Sequence, residues 1–76
     1  MDPSAKPNFD TVQVVGRQLR KHRRLAGMTQ EALANSAGLS RTYLARLELG
    51  HGNPTLSVLD ALATALRIDS RELFCE

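Results

Sequence analysis

The chain has 76 residues, a net charge of +2 and 42% hydrophobic residues, enough for one domain with a core that is only marginally sufficient by itself. It contains no apolar run long enough to span a membrane and opens on no signal sequence, and its single cysteine, Cys75, excludes a disulfide framework or a cysteine-rich metal site. The expectation is a cytoplasmic protein with no membrane association, no cofactor, no metal and no small-molecule ligand, and no catalytic residues, because no nucleophile, base and orienting group gather at motif spacing.

Charge is unevenly placed. Residues 1–50 carry eight Lys or Arg against four acids, a balance of +4, whereas residues 51–76 carry two against four, a balance of −2. That polarity suits a protein that turns one end toward phosphates.

Residues 1–8, MDPSAKPN, hold two prolines and little to bury, so they read as a flexible tail ahead of a single domain over 9–76. Asp10 and Gln13 have capping-box spacing, and Phe9 and Val14 the spacing of a hydrophobic staple, which predicts a first helix from about Thr11 to Leu25. Its inward stripe is Val12, Val15, Leu19, His22 and Ala26, with Arg17, Arg20, Lys21 and Arg24 outside and Gly27 as the stop. The run RKHRR over 20–24 suits either a solvated face or a nucleic-acid patch.

The stretch from Thr29 to Gly50 reads TQEALANSAGLSRTYLARLELG. Thr29 and Ser40 are placed to cap two short helices in succession, and Gly38 supplies the positive φ of the turn between them. Helical spacing puts Leu33, Ala34 and Ala37 on the inner side of one helix and Leu44, Leu47 and Glu48 on the inner side of the next, predicted over 41–49. Arg41, Thr42, Ala45 and Arg46 are left on the outer face with no carboxylate among them. Two arginines among small side chains suit entry into a groove.

After Gly50, HGNP reads as a turn, and Thr55 caps a fourth helix from about Leu56 to Leu66. Leu56, Leu59, Leu62, Ala63 and Leu66 form its core stripe, while Val58, Ala61 and Ala65 make a second apolar stripe that needs another surface to cover it. Asp69 and Glu72 again have capping-box spacing and predict a short fifth helix anchored by Ile68, Leu73 and Phe74. Val58, Ala61, Ala65, Leu73 and Phe74 together form a candidate dimer interface; the competing reading has Phe74 filling the base of the core.

With Gln30, Leu33, Ala34, Ala37, Gly38, Leu44, Leu47, Glu48 and Gly50 in place, the segment resembles the helix-turn-helix of the phage-repressor-like, or Xre/Cro-type, DNA-binding family. The likeness extends over roughly residues 10–74. GMTQEALA, SRTYL and GHGNPTL further resemble the short controller proteins of restriction-modification systems, although Arg46 stands where those controllers usually carry a small residue. The resemblance implies a compact all-α, five-helix domain with the helix-turn-helix at helices two and three. It implies a homodimeric, sequence-specific regulator of transcription on a pseudo-palindromic operator in double-stranded DNA, controlled by concentration, site number or contact with RNA polymerase.

On that reading Arg41, Thr42, Ala45 and Arg46 face base edges, where a guanidinium can donate two bonds to one guanine. Arg17, Gln30, Ser40, Tyr43, His51 and Asn53 are the expected phosphate contacts. The resemblance also implies a partly buried ion pair between Arg23 and Glu48. Arg67 takes a place where the family often has a helix-ending glycine, and His22 one that is usually aliphatic. The rival reading is a protein-interaction module, such as an antitoxin, with DNA binding secondary.

Overall fold

The computed structural model describes residues 9–76, with side chains from Thr11 onward. It comprises α1 (Phe9–Leu25), α2 (Gln30–Ala37), α3 (Arg41–Glu48), α4 (Leu56–Leu66) and a closing 3-10 turn (Ser70–Phe74). The expected fifth α-helix is therefore a correction: it is a five-residue 3-10 segment. Asp69 Oδ1 accepts from the Arg71 amide at 2.9 Å, Glu72 Oε2 accepts from the Asp69 amide at 3.2 Å, and so short a capped turn closes before an α-helical ladder can propagate. α1 already includes Phe9 and Asp10, and the capping box and staple assigned to their side chains lie outside the described residues, as does the tail over 1–8.

The other helix ends follow from local chemistry. Thr29 Oγ1 accepts from the Ala32 amide at 3.0 Å, Ser40 Oγ from the Tyr43 amide at 3.1 Å and Thr55 Oγ1 from the Val58 amide at 3.2 Å. Each satisfies one of the amides that a helix start leaves unpaired. At the far end of α2, Gly38 adopts φ 72°, so its amide reaches Asn35 O and the Leu39 amide reaches Ala34 O, and the chain reverses into α3 within a few residues. Arg67 ends α4 through the same pair of bonds, to Thr64 O and Ala63 O, with φ 59°; among the described residues it is the one non-glycine at positive φ. The helix thus ends cleanly without the glycine, at a conformational cost set by the arginine Cβ.

One leucine-rich core joins every element: Val15 and Leu19 of α1, Leu33 and Ala34 of α2, Leu44 and Leu47 of α3, Leu59, Leu62, Ala63 and Leu66 of α4, and Leu73 of the closing turn. α2 packs between α3 and α4, and α1 lies across α3 and the closing turn. Two expected core positions are corrected. Leu56 is 74% exposed and Ala26 is exposed, because each stands at a helix end where periodicity continues but no neighbouring element covers it. Conversely Gly16 and Gln18 are buried, and His22 is half-buried at the core edge. Gly16 is the point where α1 crosses the end of α3: a Cβ there would lie 3.1 Å from both Glu48 O and Gly50 N, and closer still to Leu47 O. Only a residue without a side chain lets the two backbones approach so nearly.

Candidate nucleic-acid interface

α3 is held from one side. Leu44, Leu47 and Glu48 are buried, which turns Arg41, Thr42 and Arg46 to solvent, with Ala45 half-buried beside them. Among the described residues, the Arg41 and Arg46 guanidinium groups make no hydrogen bond or ion pair. An eight-residue helix has little stability of its own, so its orientation is imposed by what it packs on.

The strongest restraint is the expected ion pair. Arg23 Nε donates to Glu48 Oε2 at 2.7 Å and Arg23 Nη2 to Glu48 Oε1 at 3.0 Å, a two-pronged contact between side chains only 12% and 3% exposed. Arg23 Nη1 also donates to Met28 O at 2.9 Å, and Gln30 Nε2 to Glu48 Oε1 at 3.1 Å. Hydrogen bonding to the Glu48 carboxylate holds the Arg23 guanidinium above its ordinary value against the opposing effect of burial. The network ties α1, the start of α2 and the end of α3 together, and among the described residues no buried side-chain nitrogen or oxygen lacks a partner.

The outward residues fall into two hollows on either side of α3. Arg41 shares one of about 810 Å³ with Gln30, Glu31, Ala32 and Asn35 of α2. Ser40, Thr42, Tyr43 and Arg46 share another, of about 380 Å³, with His51 and Gly52 of the following loop. Of the six residues expected at phosphates, Ser40, Tyr43 and His51 are therefore brought together. Gln30 borders the Arg41 hollow while its amide serves Glu48, Asn53 lies apart beside Thr11, Val12 and Pro54, and Arg17 is paired with Glu76 at 2.6 Å. The sequence carries no sign of one neighbour of this face, Asn35, and leaves the role of another, Arg20, open. Asn35 lines the Arg41 hollow, and Arg20 lines a cleft with Gln30, Ala45 and Leu49. The RKHRR run contained Arg20 but could not show which of its side chains meets α3.

In α4 and the closing turn, Val58, Ala61 and Ala65 are half-buried, Val58 and Ala65 packing in part against the core, and Phe74 is 44% exposed. Phe74 does not fill the base of the core. Leu73 does, with no exposure at all, and its assignment to a dimer interface is corrected: with about three residues per turn, the 3-10 segment sets adjacent side chains roughly a third of a turn apart, so one is enclosed while the next is left partly in solvent. Among the described residues no helix is long and apolar enough to cross a membrane, and no group of His, Cys, Asp or Glu could hold a metal ion.

Two short helices joined by a tight glycine turn, the second offering an exposed arginine face, define a helix-turn-helix domain. The chain belongs to the helix-turn-helix family, whose pattern matches residues 19–73. It is 41% identical over 65 residues to an uncharacterised HTH-type transcriptional regulator, y4dJ, of Sinorhizobium fredii, covering 86% of this chain and 84% of that protein. Its fold is similar to the restriction-modification controller protein C.AhdI of Aeromonas hydrophila, with a TM-score of 0.80 and 43% identity over 83% of this chain and 96% of the controller. It is also similar to SinR, a master regulator of biofilm formation solved in complex with DNA, with a TM-score of 0.74 and 25% identity over 78% of this chain and 95% of SinR's. Two further relatives, a phage immunity repressor and a Bacillus subtilis regulator, are longer, and the chain spans 38% and 41% of them.

Proposed function

We propose that this chain is a sequence-specific double-stranded DNA-binding regulator of transcription that places α3 in the major groove. The observation that carries the reading is the pair of exposed guanidinium groups, Arg41 and Arg46, unpaired among the described residues on a helix whose other face is locked by Leu44, Leu47 and Glu48. Arg41, Thr42 and Arg46 supply base-edge contacts, and Ala45 is small enough to let the helix seat closely. Ser40, Tyr43 and His51 supply phosphate contacts nearby, with Gln30 at the start of α2 on the other flank. Phosphate contacts make the affinity fall as salt rises.

Two copies paired through the half-exposed face of Val58, Ala61, Ala65 and Phe74 would address half-sites about one helical turn, roughly 34 Å, apart on one face of the duplex. The apolar character of that face, with Phe74 44% exposed beside it, is what supports a second copy as its cover.

Selection of duplexes from a random pool by the purified protein, at fixed salt, tests the reading. Two related half-sites with a constant centre-to-centre spacing are expected, and Arg46→Ala should relax base preference at one position of each half-site. Recovery of unrelated duplexes with equal affinity would defeat the proposal.

A further inference from the structure

α3 ends on an exposed leucine. Leu49 caps the helix, yet its amide reaches Ala45 O at 3.3 Å and Arg46 O at 3.1 Å and its φ is −86°, so the residue stays on the helical path. At about 3.6 residues per turn, Leu49 falls at roughly 80° around the axis from Arg41, between Ala45 at roughly 40° and Thr42 at roughly 100°, with Arg46 at roughly 140°. It is therefore central to the outward face, across the axis from Leu44 and Leu47, and it is 67% exposed. A single exposed leucine is ordinary on a protein surface. Leu25 and Leu56, each 74% exposed, stand at the ends of other helices. Leu49 differs because Arg41 and Arg46 flank it on one helix face, and because the cleft it shares with Ala45 is bordered by Arg20 and Gln30. The carboxylate in that cleft, Glu48, is engaged by Arg23 and Gln30. The surroundings thus suit an anionic polymer, while the leucine itself can match only an apolar group on it.

We propose that Leu49 is a specificity-determining residue, receiving the C5-methyl group of one thymine in each half-site when α3 seats in the major groove. The inference rests on the DNA-binding reading above and deepens it by naming a base that neither arginine reads. The major-groove edge of a duplex offers one apolar group, the thymine methyl. A leucine against it removes both from water, whereas a cytosine in that place turns its N4 amino donor toward a side chain that cannot accept. Arg41 and Arg46 on the flanks suit guanine. Leu49 adds a requirement for thymine that hydrogen-bonding side chains do not supply.

The test uses the full chain and the duplex recovered by the selection, with each thymine of one half-site replaced in turn by deoxyuridine, which deletes the methyl and leaves every base-pair hydrogen bond. Kd is measured at fixed salt for the wild-type chain, L49A and L49M. At one thymine the wild-type chain should lose about fourfold in affinity, the worth of one buried methyl group. L49A should bind the thymine and deoxyuridine duplexes equally at that position, and L49M should keep the difference. The urea midpoint of L49A should match wild type because the side chain is exposed. No thymine whose methyl matters, a difference that survives in L49A, or one that L49M loses as fully as L49A would each overturn the proposal. So would a lowered urea midpoint in L49A, which would assign the leucine to packing, or a changed oligomeric state with base preference intact, which would assign it to a protein surface. If duplexes are enriched but Leu49 fails these tests, the regulator reading stands and only the thymine contact is lost. If no duplex is enriched, both readings fail.

Discussion

Glu48→Ala isolates what holds the reading helix in place. The substitution removes two charge-assisted hydrogen bonds, at 2.7 and 3.0 Å, and the Gln30 contact at 3.1 Å, and leaves the Arg23 guanidinium largely enclosed with only Met28 O as a partner. Stranding one member of a buried pair costs roughly 3–5 kcal/mol. A domain of this size holds on the order of 4–11 kcal/mol in all, so urea unfolding should show at least about a quarter of the stability gone and a Tm lower by on the order of 20 °C. Replacing both partners with apolar residues, R23M with E48L, should restore most of the loss, because the cost lies in the unpaired charge. The Glu48 carboxylate holds Arg23 above its ordinary value, so this contribution is present below the arginine range and does not fall between about pH 7 and 10. A loss under about 1 kcal/mol for Glu48→Ala, or a double variant as unstable as the single one, would refute the clamp.

Gly16→Ala should cost about 1–3 kcal/mol or more and weaken binding to all duplexes alike, since the methyl meets Glu48 O and Leu47 O, which are backbone atoms of the helix being positioned; unchanged urea midpoints would contradict the close approach. Arg67→Gly should stabilise by up to about 1 kcal/mol, the strain of a left-handed side-chain residue less the entropy of the glycine, and calorimetry showing a lower Tm would count against strain at φ 59°. The side-chain bond from Arg71 holds the Asp69 carboxyl down at about 2, so the closing turn keeps that bond above the usual carboxylate range and loses it as pH falls toward 2. NMR should show the Arg71 amide moving between about pH 4 and 2 in the wild-type chain and not in Asp69→Asn; a wild-type amide that stays still through that window would mean the cap is not made in solution.

What the sequence disclosed was whatever is settled within a few residues. Thr29, Ser40, Thr55 and Asp69 cap as expected because the hydroxyl or carboxylate and its amide partner lie two or three positions apart. The outer face of α3 was legible because Leu44, Leu47 and Glu48 fix the inner one. Contacts between elements left weaker marks. Nothing around Gly16 announces a backbone crossing, and Gln30 has a ready role at a helix start that conceals its bond to Glu48. Helical periodicity assigned Leu56 to the core because it cannot register that α4 begins there and leaves that side chain 74% exposed, while Leu59 three positions on is enclosed. Leu73 and Phe74 are neighbours of like character, and only the 3-10 geometry of the turn decides which is enclosed.

The residues that set the position of α3 and the residues that face outward from it are separate sets, and the two should fail differently. Ser40 fixes its first turn, Leu44 and Leu47 its depth, Glu48 its last turn, and Gly16 the distance of α1 behind it. A helix of eight residues could not hold Arg41 and Arg46 in register without them. Changes at Gly16 or Glu48 should therefore lower stability and affinity together, at good and poor sites alike. Changes at Arg41 or Arg46, exposed and unpaired among the described residues, should leave the unfolding midpoint where it is and alter only which base pairs are preferred. A variant at either arginine that unfolded as readily as Glu48→Ala would mean that its guanidinium supports the fold, and the separation between scaffold and reading face would be lost.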